Sequence, residues 1–183
     1  GIYDPNYLKP SASQVGFMWR TMYQIIGKAN EIIAAAEDLE DTPSLRATVS
    51  EAKCFRAQSY FLLYRTFDRI WLNIQPTTAE NVNDPRDFHA ASEKEVFDLI
   101  YEDLEYAITN LDWVSDEAGR FTQAAARHMK AKAALWLKDW DTTLEQVEEI
   151  EKSGHFDLIA LNEVFNAGDL NHKEALMVQQ WSK

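Results

Sequence analysis

The residues of this sequence best equipped for chemistry are aromatic side chains set among amides and carboxylates. Trp71 opens a stretch that also holds Asn73, Gln75, Asn81, Asn83, Asp84 and Arg86. Trp113 stands in a turn before Gly119, and Tyr3 and Tyr7 lie in an irregular N-terminal stretch. A flat ring covers the apolar C–H face of a sugar, while amide, carboxylate or guanidinium groups bond its hydroxyls. Trp and Tyr supply that contact area at low side-chain entropy. Rings in such loops either form a ligand platform or pack the loop against the body of the protein. The candidate binding residues on this pattern are Trp71, Asn73, Asp84, Arg86, Trp113 and Tyr7. Trp19, Trp136 and Trp140 fall in helical context, where packing is the expectation.

Signatures of other chemistries are missing. There is no Gly-rich phosphate loop, no His-Glu-x-x-His and no Gly-x-Ser-x-Gly. His89, His128, His155 and His172 lack a second ligand at the spacing of a two-point metal grip. Neighbouring carboxylates such as Glu37-Asp38, Glu102-Asp103 and Glu148-Glu149 lack the opposed geometry of a catalytic pair. They read as solvated helix faces. The single cysteine, Cys54, sits mid-helix and reads as a small buried hydrophobe. The expectation is a protein without catalytic residues, metal or cofactor.

The elements that must position the loops are helical. Phe17, Met18, Met22, Ile25, Ile26, Ala29, Ile32, Ile33 and Ala36 recur at helical spacing over roughly residues 13–38, with Ser11 or Ser13 as a cap. A second stripe runs from Leu45 through Val49, Ala52, Phe55, Ser59, Leu62, Leu63 and Thr66 to Ile70. Residues 72–92 then form a long irregular loop, and long loops in compact domains are commonly functional. Ser92 with Glu95 three residues on is a capping box, opening a third helix to about Leu111. An alanine-rich fourth helix spans roughly residues 122–138, and a fifth roughly 141–152, closed by Ser153-Gly154. Leu176-Met177-Val178 is read as a short strand. Ala131, Ala134, Leu135, Trp136, Trp140 and Leu144 partly match the small-and-bulky pattern of tetratricopeptide (TPR) helix pairs. The fold expectation is all-α, with TPR-like antiparallel helix pairs in one domain over residues 1–183. Phe55, Leu62, Ile100, Leu104 and Leu135 are expected in its core.

Composition narrows the partners. The formal net charge is −12, which argues against nucleic acid and against direct binding to anionic lipid. It fits a neutral or cationic ligand or a protein partner. Hydrophobic residues make up 46% and charged residues 26%, ordinary values for a globular chain. No run of about 18 or more apolar residues, as a membrane-spanning helix needs, occurs, and the N-terminal residues do not read as a signal peptide.

Several segments, in order, resemble one family. Trp19-x3-Tyr23-x2-Ile26-x3-Asn30-x-Ile32-Ile33 resembles the first conserved helix of SusD/RagB proteins. Glu51-Ala52-x2-Phe55-Arg56-Ala57-x2-Tyr60-Phe61-x-Leu63-x3-Phe67 is similar to that family's Glu-Ala-x-Phe-x-Arg-Ala-x-x-Tyr-Phe helix, one residue compressed. Glu95-Val96-x3-Ile100-x2-Asp103-Leu104-x2-Ala107-x3-Leu111 resembles its third helix. Gly119-Arg120-Phe121-Thr122-x-Ala124-Ala125-Ala126, Ser153-Gly154-His155-Phe156-x-Leu158 and Asn171-His172-Lys173-Glu174-Ala175-Leu176-Met177 resemble later elements. The family's Phe-Gly-x-x-Pro-Leu is replaced here by Phe67-Asp68-Arg69-Ile70-Trp71-Leu72, with Trp where Pro is expected.

The resemblance implies a non-enzymatic glycan-binding protein on a TPR-like scaffold, held at the surface of an outer membrane as a lipoprotein. Its implied partner is a SusC-like TonB-dependent transporter, to which it hands an oligosaccharide or, in some members, a peptide. It also implies a fragment that lacks the N-terminal lipid-anchor region and the C-terminal half. The alternative is a TPR-type adaptor that binds a peptide or protein along a concave helical face.

Overall fold

A computed structural model of the protein describes residues 12–85, 88–117, 119–164 and 172–178. Among them are six helices and no strand: α1 (Ser13–Ala36), α2 (Pro43–Phe67), α3 (Glu93–Asn110), α4 (Gln123–Leu137), α5 (Trp140–Lys152) and the short α6 (Leu161–Val164). Each of the first five packs on its neighbour in sequence, and α2 also touches α4. The short connections at 37–42 and 138–139 return the chain on itself. The result is a stack of antiparallel helix pairs. None of the described helices is long and apolar enough to cross a membrane.

Local chemistry sets the helix ends. Thr42 accepts from the Leu45 amide with Pro43 at the first helical position, where its missing N–H costs nothing. At α3, Ser92 Oγ accepts from Glu95 N while the Glu95 carboxylate accepts from Ser92 N at 2.8 Å, the reciprocal box its spacing predicts. That hydrogen bonding holds the Glu95 carboxyl below its ordinary pKa. Thr122 caps α4 and Asp139 caps α5. Gly154, just past α5, takes φ +69°, where an L side chain is strained. At α1 the cap expectation fails: Ala12 occupies the position without a side-chain bond, and Ser13 turns to Gln14. Ser11 lies outside the described residues.

The core runs through the stack: Ile26, Tyr60, Leu63, Ile70, Val96, Ile100, Leu104 and Ala107 are nearly fully buried together. Ala124, Ala125, Ala126, Ala131, Ala133 and Ala134 are all buried, so α4 packs closely against its neighbours. Cys54 is buried, and burial pushes its thiol pKa up, with Asp103 and Glu51 adding to the shift.

Several expectations are corrected. Phe55 is 48% exposed and Leu135 52% exposed, and Leu62 is only half-buried. For Phe55 and Leu62 the reason lies in α2, which is covered by α1 on one side and α3 on another, and for Leu135 in α4, which turns its alanines to its neighbours instead. The buried set of α2 includes Ser50, Lys53, Arg56 and Ser59. Hydrophobic periodicity assigns such residues to solvent and moves the apparent stripe toward Phe55. The buried serines return their hydroxyls to carbonyls one turn back, at Arg46 and Phe55. The second helix stops at Phe67, and Asp68 leaves it at φ +61°. Trp140 is exposed on α5, whereas Trp136, half-exposed on α4, meets Phe61 of α2 edge-on at 6.4 Å. Asp103, expected on a solvated face, is fully buried. Residues 176–178 form no strand, because among the described residues they make no backbone hydrogen bond on which a ladder could build.

Candidate functional site

The loop between α2 and α3 is held at both ends and along its first part. Ala91 N donates to Ile70 O at 2.8 Å, joining exit to entry. Two tyrosines then grip the backbone from the helices. The Tyr23 hydroxyl donates to Trp71 O at 2.8 Å and accepts from Trp71 N at 3.0 Å. The Tyr60 hydroxyl donates to Asn73 O and accepts from Asn73 N, both at 2.8 Å. Each hydroxyl thus satisfies both backbone groups of one loop residue, in the way a neighbouring strand would. Burial raises the pKa of both phenols, against the opposing effect of those backbone bonds, so the hydroxyls stay protonated and keep donating. Asn30 adds bonds from its Nδ2 to Asn73 O at 2.7 Å and Gln75 O at 3.4 Å.

Above this support lies an open cavity of about 240 Å³, lined by Trp71, Asn73, Gln75, Pro76, Asn81, Asp84 and Pro85. Trp71, Asn73 and Gln75 are alternate residues and all line it, while Leu72 between them packs against the core. Trp71 stacks near Tyr23, with centroids 6.3 Å apart and planes at 25°, and meets Phe88 at 4.9 Å. Behind Tyr23 the aromatic series continues through Trp19 to Phe67. Asn81 serves the loop itself: it accepts from Thr78 N and donates to Pro76 O. Among the described residues, the side chains of Asn73, Gln75 and Asp84 have no hydrogen-bond partner. The cavity therefore joins an aromatic surface to two amides and a carboxylate with bonding capacity to spare.

Of the six candidate binding residues, Trp71, Asn73 and Asp84 come together here. Tyr7 and Arg86 lie outside the described residues. Trp113 lies elsewhere, beside a cavity of about 330 Å³ lined also by Glu117, Arg120, His155, Phe156 and His172. Its ring stacks on His155 at 6.3 Å and carries the Arg127 guanidinium at 5.3 Å. Trp113 is thus engaged by the protein itself and shares no cavity with Trp71. Phe88 was missed by sequence reasoning because an isolated Phe in a polar loop carries no periodic signal. The Tyr23, Tyr60 and Asn30 supports were missed because they lie on helices far away in sequence. No group of His, Cys, Asp or Glu among the described residues is arranged to hold a metal ion.

Comparison with known proteins matches residues 3–135 to the SusD-like family described as "Starch-binding associating with outer membrane". The chain belongs to the SusD-like family. A SusD-like protein of Bacteroides ovatus is 27% identical over 180 residues, covering 89% of this chain and 32% of the relative. A SusD-like protein of Formosa agariphila is 30% identical over 174 residues, covering 88% of this chain and 32% of its own length. The chain therefore spans about a third of these SusD-like relatives. Among solved structures, a SusD-like protein of Bacteroides fragilis superposes with a TM-score of 0.84 at 23% identity, covering 97% of this chain and 36% of that one. A structure solved with a xylogluco-oligosaccharide superposes with a TM-score of 0.76 at 25% identity, over 90% of this chain and 35% of that one. The all-helical architecture is thus the SusD-like one.

Proposed function

We propose that this chain forms part of a non-catalytic glycan-binding component of an outer-membrane oligosaccharide importer. The observation that carries the reading is Trp71, held between Tyr23 and Phe88 over a cavity whose Asn73, Gln75 and Asp84 side chains have spare bonding capacity. The indole covers the C–H face of a sugar ring. The two amides donate and accept, and the carboxylate accepts from a pair of hydroxyls. Each such bond is worth about 0.5–1.5 kcal/mol net, and about 1.5–3 where the carboxylate takes part. The cavity, about 240 Å³, is smaller than the roughly 300–1,000 Å³ of clefts that enclose a drug-sized ligand, so it takes one or two sugar units of a longer chain. A carboxylate in the site and a net charge of −12 favour a neutral glycan. No bond in the sugar is broken, because among the described residues the site offers no opposed acid and base.

The matching family is described as associating with the outer membrane, which supports placing the intact protein at the outer surface through a lipid anchor, beside a SusC-like TonB-dependent transporter. The solved relative with a xylogluco-oligosaccharide supports an oligosaccharide ligand. Purification of the intact protein from native outer membranes, with mass spectrometry of what accompanies it, tests the partner. A co-purifying TonB-dependent barrel is expected, and soluble proteins alone would contradict the importer reading.

A further inference from the structure

The polar residues of three helix motifs converge behind the Trp71 loop. Asp103 of α3 takes Arg56 Nε on Oδ2 and Arg56 Nη2 on Oδ1, each at 2.7 Å, and Lys53 Nζ on Oδ1 at 2.8 Å. The remaining Arg56 nitrogen, Nη1, donates to Asn30 Oδ1 at 2.8 Å. That bond decides how the Asn30 amide is turned. With Oδ1 facing the guanidinium, Nδ2 faces the loop and donates to the carbonyls of Asn73 and Gln75. Tyr60 and Tyr23 hold the same stretch at Asn73 and Trp71. Asn30, Arg56 and Asp103 are all buried, although none is apolar.

We propose that Asp103, Arg56 and Asn30, with the Tyr60 hydroxyl, are a buried positioning relay that sets residues 71–75 in binding geometry. The proposal rests on the glycan reading of the Trp71 cavity. A network that only tied α1, α2 and α3 together would be complete at the Arg56–Asn30 bond. This one continues, and its last donors end on the backbone of two residues that line the cavity. Three of the four side chains that face the ligand, Trp71, Asn73 and Gln75, are alternate residues of that same stretch, so a shift of the backbone moves all three at once. None of the relay side chains lines the cavity. They act through the loop and not on the sugar.

Two substitutions in the intact protein separate positioning from packing. Asn30→Asp keeps an acceptor for Arg56 and replaces the Nδ2 donor by an acceptor facing two carbonyls. Tyr60→Phe keeps the ring in the core and removes one oxygen. Amide hydrogen exchange at residues 71–75 is measured together with affinity for laminarin, xyloglucan and starch oligosaccharides. Both variants are expected to speed exchange at residues 73–75 by about tenfold or more and to weaken the tightest-bound probe by about tenfold, as for the loss of one or two hydrogen bonds. Exchange in the centres of α2 and α3 should stay near wild type.

If either variant binds as wild type while Trp71→Ala does not, the relay is overturned and the site stands. Lost binding without faster loop exchange also overturns the relay. If Trp71→Ala binds as well as wild type, or wild type binds no probe, the glycan reading fails and the relay's role in binding fails with it. Should Asn30→Asp not fold, Tyr60→Phe decides the question by the same readings.

Discussion

Replacing Asp103 by Asn should be among the most damaging single changes in this protein. The Asp103 carboxylate is fully buried and faces two cations whose side chains are 5% (Arg56) and 10% (Lys53) exposed. Asn keeps one carbonyl oxygen and turns the other acceptor into an N–H₂ group. That group then points a donor at the donor it used to accept. As an anionic partner Lys53 then has Glu102, at 3.9 Å and largely in water, beside the Tyr106 ring at 5.3 Å. Arg56 keeps its bond to Asn30 but loses its paired carboxylate. Breaking a buried ion pair from one side costs about 3–5 kcal/mol, mostly because a charge is left unpaired away from water. With a urea dependence of about 2 kcal/mol per molar, the denaturation midpoint should fall by about 2 M. Replacing Asp103 by Leu together with Lys53 and Arg56 by Met removes the stranded charges and should recover more than half of that loss, leaving Asn30 short of a donor. Urea titration followed by circular dichroism measures both. A loss below about 1 kcal/mol in Asp103→Asn would refute the reasoning, because a buried, ionised carboxylate could not be exchanged so cheaply.

Three further outcomes follow from the same geometry. Leu63→Ala should cost about 2–5 kcal/mol, whereas Phe55→Ala, at a half-exposed position against Phe121, should cost about 1 kcal/mol or less in the same titration. Ser92→Ala removes the cap of α3 and should cost about 1 kcal/mol, with fraying of the first turn seen as faster amide exchange near Glu95. The Tyr60 phenol has a raised pKa in the fold, chiefly from burial, so its contribution is fully present below the unfolded value of about 10 and is lost as pH rises above it. Stability should then fall by up to about 1.4 kcal/mol per pH unit for this group. Tyr60→Phe should flatten, but not abolish, that alkaline slope, since burial also raises Tyr23, and raises Tyr101 to about 12.

Much of the fold was legible because its helices obey local rules. The Ser92–Glu95 box, Pro43 at an entry and Gly154 at an exit are signals carried within four residues. The interior of α2 was not legible, because hydrophobic patterning places Lys53 and Arg56 in water and only the carboxylate on α3 brings them in. Asn30 did leave a trace: it sits one turn after Ile26 on an otherwise apolar face, a place where a polar residue needs a partner. The site was half legible. Trp71 with polar neighbours in a long loop marked the cavity, but Tyr23 and Tyr60 hold that loop from 48 and 13 residues away. Trp113 has the same local appearance as Trp71, and only the fold shows its ring engaged by His155 and Arg127.

Calorimetric titration of the intact wild-type protein and Trp71→Ala against neutral oligosaccharides decides whether a glycan lies on Trp71. Saturable binding by wild type is expected, with a loss of about tenfold or more in the variant and a stability unchanged to within about 1 kcal/mol. Equal affinity in the two proteins would contradict that placement of the glycan.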